Sequence, residues 1–141
     1  MRRRQQLRSQ GRVLIGIGLI ALLLASCIGG TPDLVLGDTE VDLGEVVNGE
    51  VLTIEIPIQN TGNKELVIEA VTTSCGCTSA EVKPARIAPG GEGVLHIQYD
   101  SGAHGPEANG PVMRQIFIAS NDPDQPEAEL RILANVIPPE S

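Results

Sequence analysis

Apolar and polar side chains alternate along most of the chain with a period of two. Leu52, Ile54, Ile56 and Ile58 are interleaved with Thr53, Glu55, Pro57 and Gln59, which predicts a strand with one face in a core. Pro57 has no N–H to give to a ladder, so this strand is expected at an edge or with a bulge at that point. The turn residues Gln59-Asn60-Thr61-Gly62-Asn63 end it. The next run, Glu65 to Thr72, places Leu66, Ile68 and Ala70 on one side. After Ala88-Pro89-Gly90-Gly91, Leu95, Ile97 and Tyr99 alternate with His96, Gln98 and Asp100. Residues 101–111, SGAHGPEANGP, read as a long Gly/Pro loop. Val112 to Ser120 forms another strand, with Arg114, Ile116 and Ile118 opposite Gln115, Phe117 and Ala119. The turn Asn121-Asp122-Pro123-Asp124 precedes a closing strand from Glu129 to Ile137, and residues 34–36 and 39–43 offer one or two more strands. Short strands at this spacing, punctuated by Gly, Pro and Asn, predict an all-β protein: an antiparallel β-sandwich of about seven strands over residues 34–138, with 139–141 as a tail.

The N-terminus breaks this pattern. Residues 1–12 hold Arg2, Arg3, Arg4, Arg8 and Arg12, residues 13–25 (VLIGIGLIALLLA) are apolar or Gly, and Ser26-Cys27 follows. These are the proportions of a secretory signal, and the apolar run falls short of the roughly 20 residues that span a bilayer. Leu24-Ala25-Ser26-Cys27 resembles the bacterial lipobox. That resemblance implies that residues 1–26 are a signal peptide cleaved before Cys27, and that Cys27 carries diacylglycerol. The acyl chains would then anchor the chain to a bacterial cell membrane on its extracytoplasmic side, with residues 27–33 as lipidated Cys and short linker. Gly29, Gly30 and Pro32 suit that linker.

Composition narrows the functions. The 141 residues carry a net charge of −8, but all 18 acidic residues lie from Asp33 onward. Against them stand only Lys64, Lys83, Arg86, Arg114 and Arg131, so the body is net −13. Such a body repels phosphate backbones, and with no Trp, one Tyr and one Phe it lacks a platform for stacking bases. Nucleic acid is therefore excluded as a partner. No nucleophile elbow, H-E-x-x-H or phosphate-binding loop is present, so no catalytic residue is assigned, no small-molecule substrate is evident, and no enzyme activity is expected. Asp122 and Asp124 fall short of the oxygen count that Ca²⁺ needs and read as an Asx-type turn.

The candidate chemistry sits at Thr73-Ser74-Cys75-Gly76-Cys77-Thr78. With Cys27 acylated, Cys75 and Cys77 are the remaining thiols, in an oxidising compartment. Three readings stay open. The pair can be a structural corner, including an inert disulfide. It can be a thiol–disulfide exchange site, because a disulfide between residues two apart closes a small strained ring, whose backbone Gly76 is best able to accommodate. It can also bind a soft metal such as Cu(I) or Zn(II), although no cofactor-binding motif is present. His96, His104 and Met113 are the obvious extra ligands, and no spacing groups them with the Cys pair.

Leu43-Gly44-Glu45-Val46 with Gly49, Asn60-Thr61-Gly62, Ser74-Cys75-Gly76-Cys77-Thr78, Ala88-Pro89-Gly90-Gly91 and Ser120-Asn121-Asp122-Pro123 occur in that order. Together they resemble the bacterial domain-of-unknown-function 1573 family over about residues 39–137, with loop 101–111 longer than the family's usual hairpin. The resemblance implies an immunoglobulin-like fold and an envelope location, and supplies no activity. The expected role is a membrane-anchored extracytoplasmic lipoprotein presenting a binding or scaffolding domain to other envelope proteins. The alternative is thiol–disulfide or soft-metal handling at Cys75 and Cys77.

Overall fold

A computed structural model describes residues 29–140. The expected signal peptide, residues 1–26, and Cys27, the expected lipid attachment point, lie outside the described residues. Nine strands follow one another: β1 (Leu34–Leu36), β2 (Glu40–Val47), β3 (Val51–Asn60), β4 (Leu66–Thr73), β5 (Thr78–Lys83), β6 (Arg86–Ile87), β7 (Glu92–Asp100), β8 (Gly110–Ser120) and β9 (Glu127–Ile137). They form two sheets, ordered β1-β3-β7-β5 and β2-β9-β8-β4-β6. The architecture is the expected sandwich, with two of its nine strands only two or three residues long.

The alternating positions face each other across the two sheets. Ile56, Ile58, Leu95 and Ile97 from one sheet meet Leu66, Ile116, Ile118, Leu130 and Ile132 from the other, all buried. Each such side chain removed from water stabilises the fold by about 1.5–3 kcal/mol, which is how a core works without large aromatics. A smaller cluster of Val46, Cys77, Tyr99 and Ala134, flanked by Leu43, Leu52, Cys75 and Val112, fills one end of the sandwich.

Three features depart from simple alternation. β2 runs parallel to β9, whereas all other pairs are antiparallel. A bulge lies between Asp42 and Glu45, where Gly44 takes φ +66° and its N–H donates to Asp42 Oδ1 at 2.8 Å. A second register shift between Ile68 and Ala70 turns Ala70 outward and packs Val71 against the core instead. The expected Leu66, Ile68, Ala70 face therefore ends at Ile68. Pro57 sits on β3, flanked by β1 and β7, yet its missing N–H harms no ladder. β1 pairs only up to Ile58, and the Pro57 carbonyl accepts from Gly37 N–H at 2.8 Å just beyond it. β3 is thus an inner strand with no bulge at Pro57, and the expected edge or bulge is not found; the proline is tolerated because it lies just past the last β1–β3 pair, Leu36–Ile58.

Two buried polar side chains join elements. Asn60, 1 % exposed, donates to the Lys64 and Ile87 carbonyls (2.7 and 3.0 Å) and accepts from Asp33 and Gly62 N–H (3.2 and 3.1 Å). Asp122, 2 % exposed, accepts from Asp124 and Gln125 N–H (2.9 and 3.2 Å), as an Asx-type turn should, and also from Leu34 N–H at 2.8 Å. That last bond ties β1 to the β8–β9 turn. Burial would push the Asp122 carboxyl up, but these three N–H donors outweigh it and hold it below the ordinary carboxylate value.

Candidate functional site

At the end of the sandwich filled by Tyr99 and Cys77, three connections converge. Residues 74–77 link β4 to β5, residues 48–50 link β2 to β3, and residues 101–109 link β7 to β8. The last two are tied together. Asn48 Nδ2 donates to the Gly105 carbonyl (3.0 Å), and Ser101 Oγ donates to the Val47 carbonyl (2.8 Å) while accepting from Gly49 N–H (3.0 Å).

The Cys turn is pinned from all sides. Thr73 Oγ1 lies 3.0 Å from the Cys75 carbonyl and 2.9 Å from the Thr78 carbonyl. Ser74 N–H donates to the Gln115 carbonyl (2.9 Å), Gln115 N–H returns a bond to Ser74 Oγ (3.0 Å), and Asp100 N–H donates to the Cys77 carbonyl (2.9 Å). Cys75 and Cys77 are joined as a disulfide, with Cα atoms 5.4 Å apart. The sulfurs are not equivalent: Cys77 is 4 % exposed, and Cys75 is half-buried. Gly76 is exposed, has no left-handed φ, and a Cβ built on it would meet nothing within 4 Å. The expectation that Gly76 serves an unusual backbone angle is thus replaced by open space above the turn.

Two further side chains reach the sulfurs. Arg114 Nε donates to Cys77 Sγ at 3.0 Å. A guanidinium there favours negative charge on that sulfur. Its charge also acts on Tyr99, whose hydroxyl pKa burial raises and Arg114 partly lowers. The Thr78 hydroxyl lies 3.6 Å from Cys77 Sγ and 3.8 Å from Cys75 Sγ. From the opposite loop comes His104, exposed, with a ring nitrogen inside a group in which it and both sulfurs lie within 4.8 Å of one another. Of the three extra ligands considered from sequence, the fold brings in His104. His96 instead faces Glu55 on the outer side of its sheet (Nδ1–Oε1 3.2 Å), and Met113 is 50 % exposed on β8.

Sequence spacing could not show the approach of His104, because it depends on contacts made by Asn48 more than fifty residues away. A signal for Arg114 did exist. Its register puts it on the inward side of β8 with Ile116 and Ile118, and a cation in that line needs a partner.

The description "Protein of unknown function (DUF1573)" belongs to a family model that matches residues 34–136. No curated protein matches the sequence. Among solved structures, a protein of unknown function from Porphyromonas gingivalis W83 is 30 % identical with a TM-score of 0.68, the match covering 74 % of this chain and 47 % of that one. The chain thus spans about half of that protein's length. An ASH/PapD-like domain of human CEP192 is similar at 9 % identity and TM-score 0.60, covering 78 % of this chain and 89 % of that one. The E. coli chaperone DraB is similar at 14 % identity and TM-score 0.51, covering 78 % and 58 %. The last two likenesses are of fold alone, an immunoglobulin-like, PapD-like β-sandwich.

Proposed function

We infer that this chain, which belongs to the DUF1573 family of proteins of unknown function, is a lipid-anchored extracytoplasmic module that binds other envelope proteins rather than turning over a substrate. One observation carries the reading: among the described residues β5 closes its sheet with no strand beyond it, leaving Ser79 to Lys83 as an edge that an extended segment of a partner can join. The Arg-rich leader, the 13-residue apolar run and Cys27 supply the tether. Replacing Ser79 or Glu81 by a photo-crosslinking residue should trap envelope proteins in whole cells, and the same residue on the exposed β9 position Asn135 should not. Equal or absent trapping from both positions would remove the binding role. Cys27→Ser should move the chain from the membrane to the soluble fraction; unchanged fractionation and no acyl mass on the wild type would remove the tether.

A second reading, thiol–disulfide exchange, is supported by Arg114 Nε at 3.0 Å from Cys77 Sγ. The half-buried Cys75 is the sulfur a reductant's thiolate can reach, and Cys77 is the sulfur whose departure as thiolate the guanidinium favours.

A further inference from the structure

The Cys75–Cys77 pair is closed as a bond in the structure. Broken, it becomes two soft ligands beside an imidazole. We propose that, once the disulfide is reduced, Cys75, Cys77 and His104 hold a single Cu(I) ion.

The donors come from two connections that the fold places face to face. Both sulfurs sit on the β4–β5 turn, and His104 comes from the β7–β8 loop, with the three ligand atoms within 4.8 Å of one another. The β4–β5 turn is held by the hydrogen bonds of Thr73, Ser74 and Asp100, so it keeps its place without the covalent link. The β7–β8 loop is held at Gly105, next to His104, by Asn48. Entry is open, because nothing stands over Gly76, and His104 is exposed.

Two thiolates and one imidazole select a soft ion, and the charges select which one. Two thiolates with monovalent copper leave one net negative charge, which the Arg114 guanidinium at Cys77 Sγ neutralises. With divalent zinc the same set is left with an uncompensated positive charge. Zinc would also lack a fourth protein ligand among the described residues, where the donor group holds only Cys75, Cys77 and His104.

A dithiol reductant gives two electrons and two protons to the Cys75–Cys77 bond and is itself oxidised to a disulfide. Cu(I) then displaces the two thiol protons to solvent as it binds.

This inference rests on the reading that the pair is reducible in the folded protein, and the test separates the two. The full chain carrying Cys27→Ser, so that two thiols count, is reduced anaerobically with a phosphine and titrated with Cu(I) against a chromophoric Cu(I) chelator. Free thiols and far-ultraviolet circular dichroism are followed alongside. The expected result is one equivalent of Cu(I) on the reduced chain, none on the oxidised chain, and Zn(II) bound more weakly. His104→Ala should weaken Cu(I) binding by at least about tenfold, with the dichroism unchanged. Arg114→Gln should narrow the preference for Cu(I) over Zn(II), a readout that a merely structural arginine would not move. If thiols appear only when the fold is lost, the reducible-pair reading fails. If two thiols appear in a folded chain that takes up no Cu(I), or binds it equally well as His104→Ala, the metal site is refuted while reducibility stands.

Discussion

Reducing the Cys75–Cys77 bond should leave the sandwich folded, and the size of the loss can be worked out in advance. A cross-link stabilises mainly by restricting the unfolded chain, and the effect grows with the logarithm of the loop it closes. A loop bounded by residues two apart gives about 1.5 kcal/mol, roughly half the effect of a fifteen-residue loop. Four backbone or hydroxyl hydrogen bonds hold the same turn: the single Thr73 hydroxyl proton shared between the Cys75 and Thr78 carbonyls, Ser74 with Gln115 in both directions, and Asp100 to the Cys77 carbonyl. At about 1 kcal/mol each they outweigh the covalent link. Cys77 is in addition packed with Val46, Tyr99 and Ala134, contacts that its thiol keeps. Urea unfolding of the full chain, oxidised and phosphine-reduced, reads the difference. With a slope of about 1–3 kcal/mol per molar urea, the midpoint should fall by roughly 0.5–1.5 M and the slope should not change. Unfolding on reduction alone, or a loss beyond about 4 kcal/mol, would show that the bond is a structural staple. Both the exchange reading and the copper site would then go.

Asn60→Ala should be among the more damaging polar substitutions, because it leaves the Ile87 carbonyl and Asp33 N–H without their partner at a site 1 % exposed. A loss of about 3 kcal/mol by urea unfolding is expected, and one below about 1 kcal/mol would show that water replaces the amide. Asp122 should make the fold acid-sensitive. Its carboxyl is held below the unfolded value, so its contribution is complete above about pH 4 and is lost as pH falls through the folded pKa. Asp122→Asn should flatten that acid limb of stability against pH; curves that stay parallel for the two proteins would assign the limb to other carboxylates.

The strands were readable because half-buried sheets impose a period of two, and Leu95, Ile97 and Tyr99 are buried as their alternation requires. The outward turn of Ala70 was not readable, since the bulge beside it is set by pairing with β8 rather than by residues 66–73. The parallel course of β2 beside β9 likewise depends on a partner ninety residues away in the chain. At the site, Cys75 and Cys77 stand out as residue types at a meaningful spacing, and Arg114 shows as a cation on an inward register. His104 does not, because a Gly/Pro loop has no periodicity to fix where its side chains go, and only Asn48 and Ser101 decide it.

The most direct check on the whole account is the intact mass of the chain drawn from cell membranes and alkylated without reductant. A polypeptide starting at Cys27, heavier by diacylglycerol and carrying no alkyl group on Cys75 or Cys77, is what a tethered sandwich with a closed sulfur pair must weigh. A mass that still contains residues 1–26, with both of those cysteines alkylated, would contradict it.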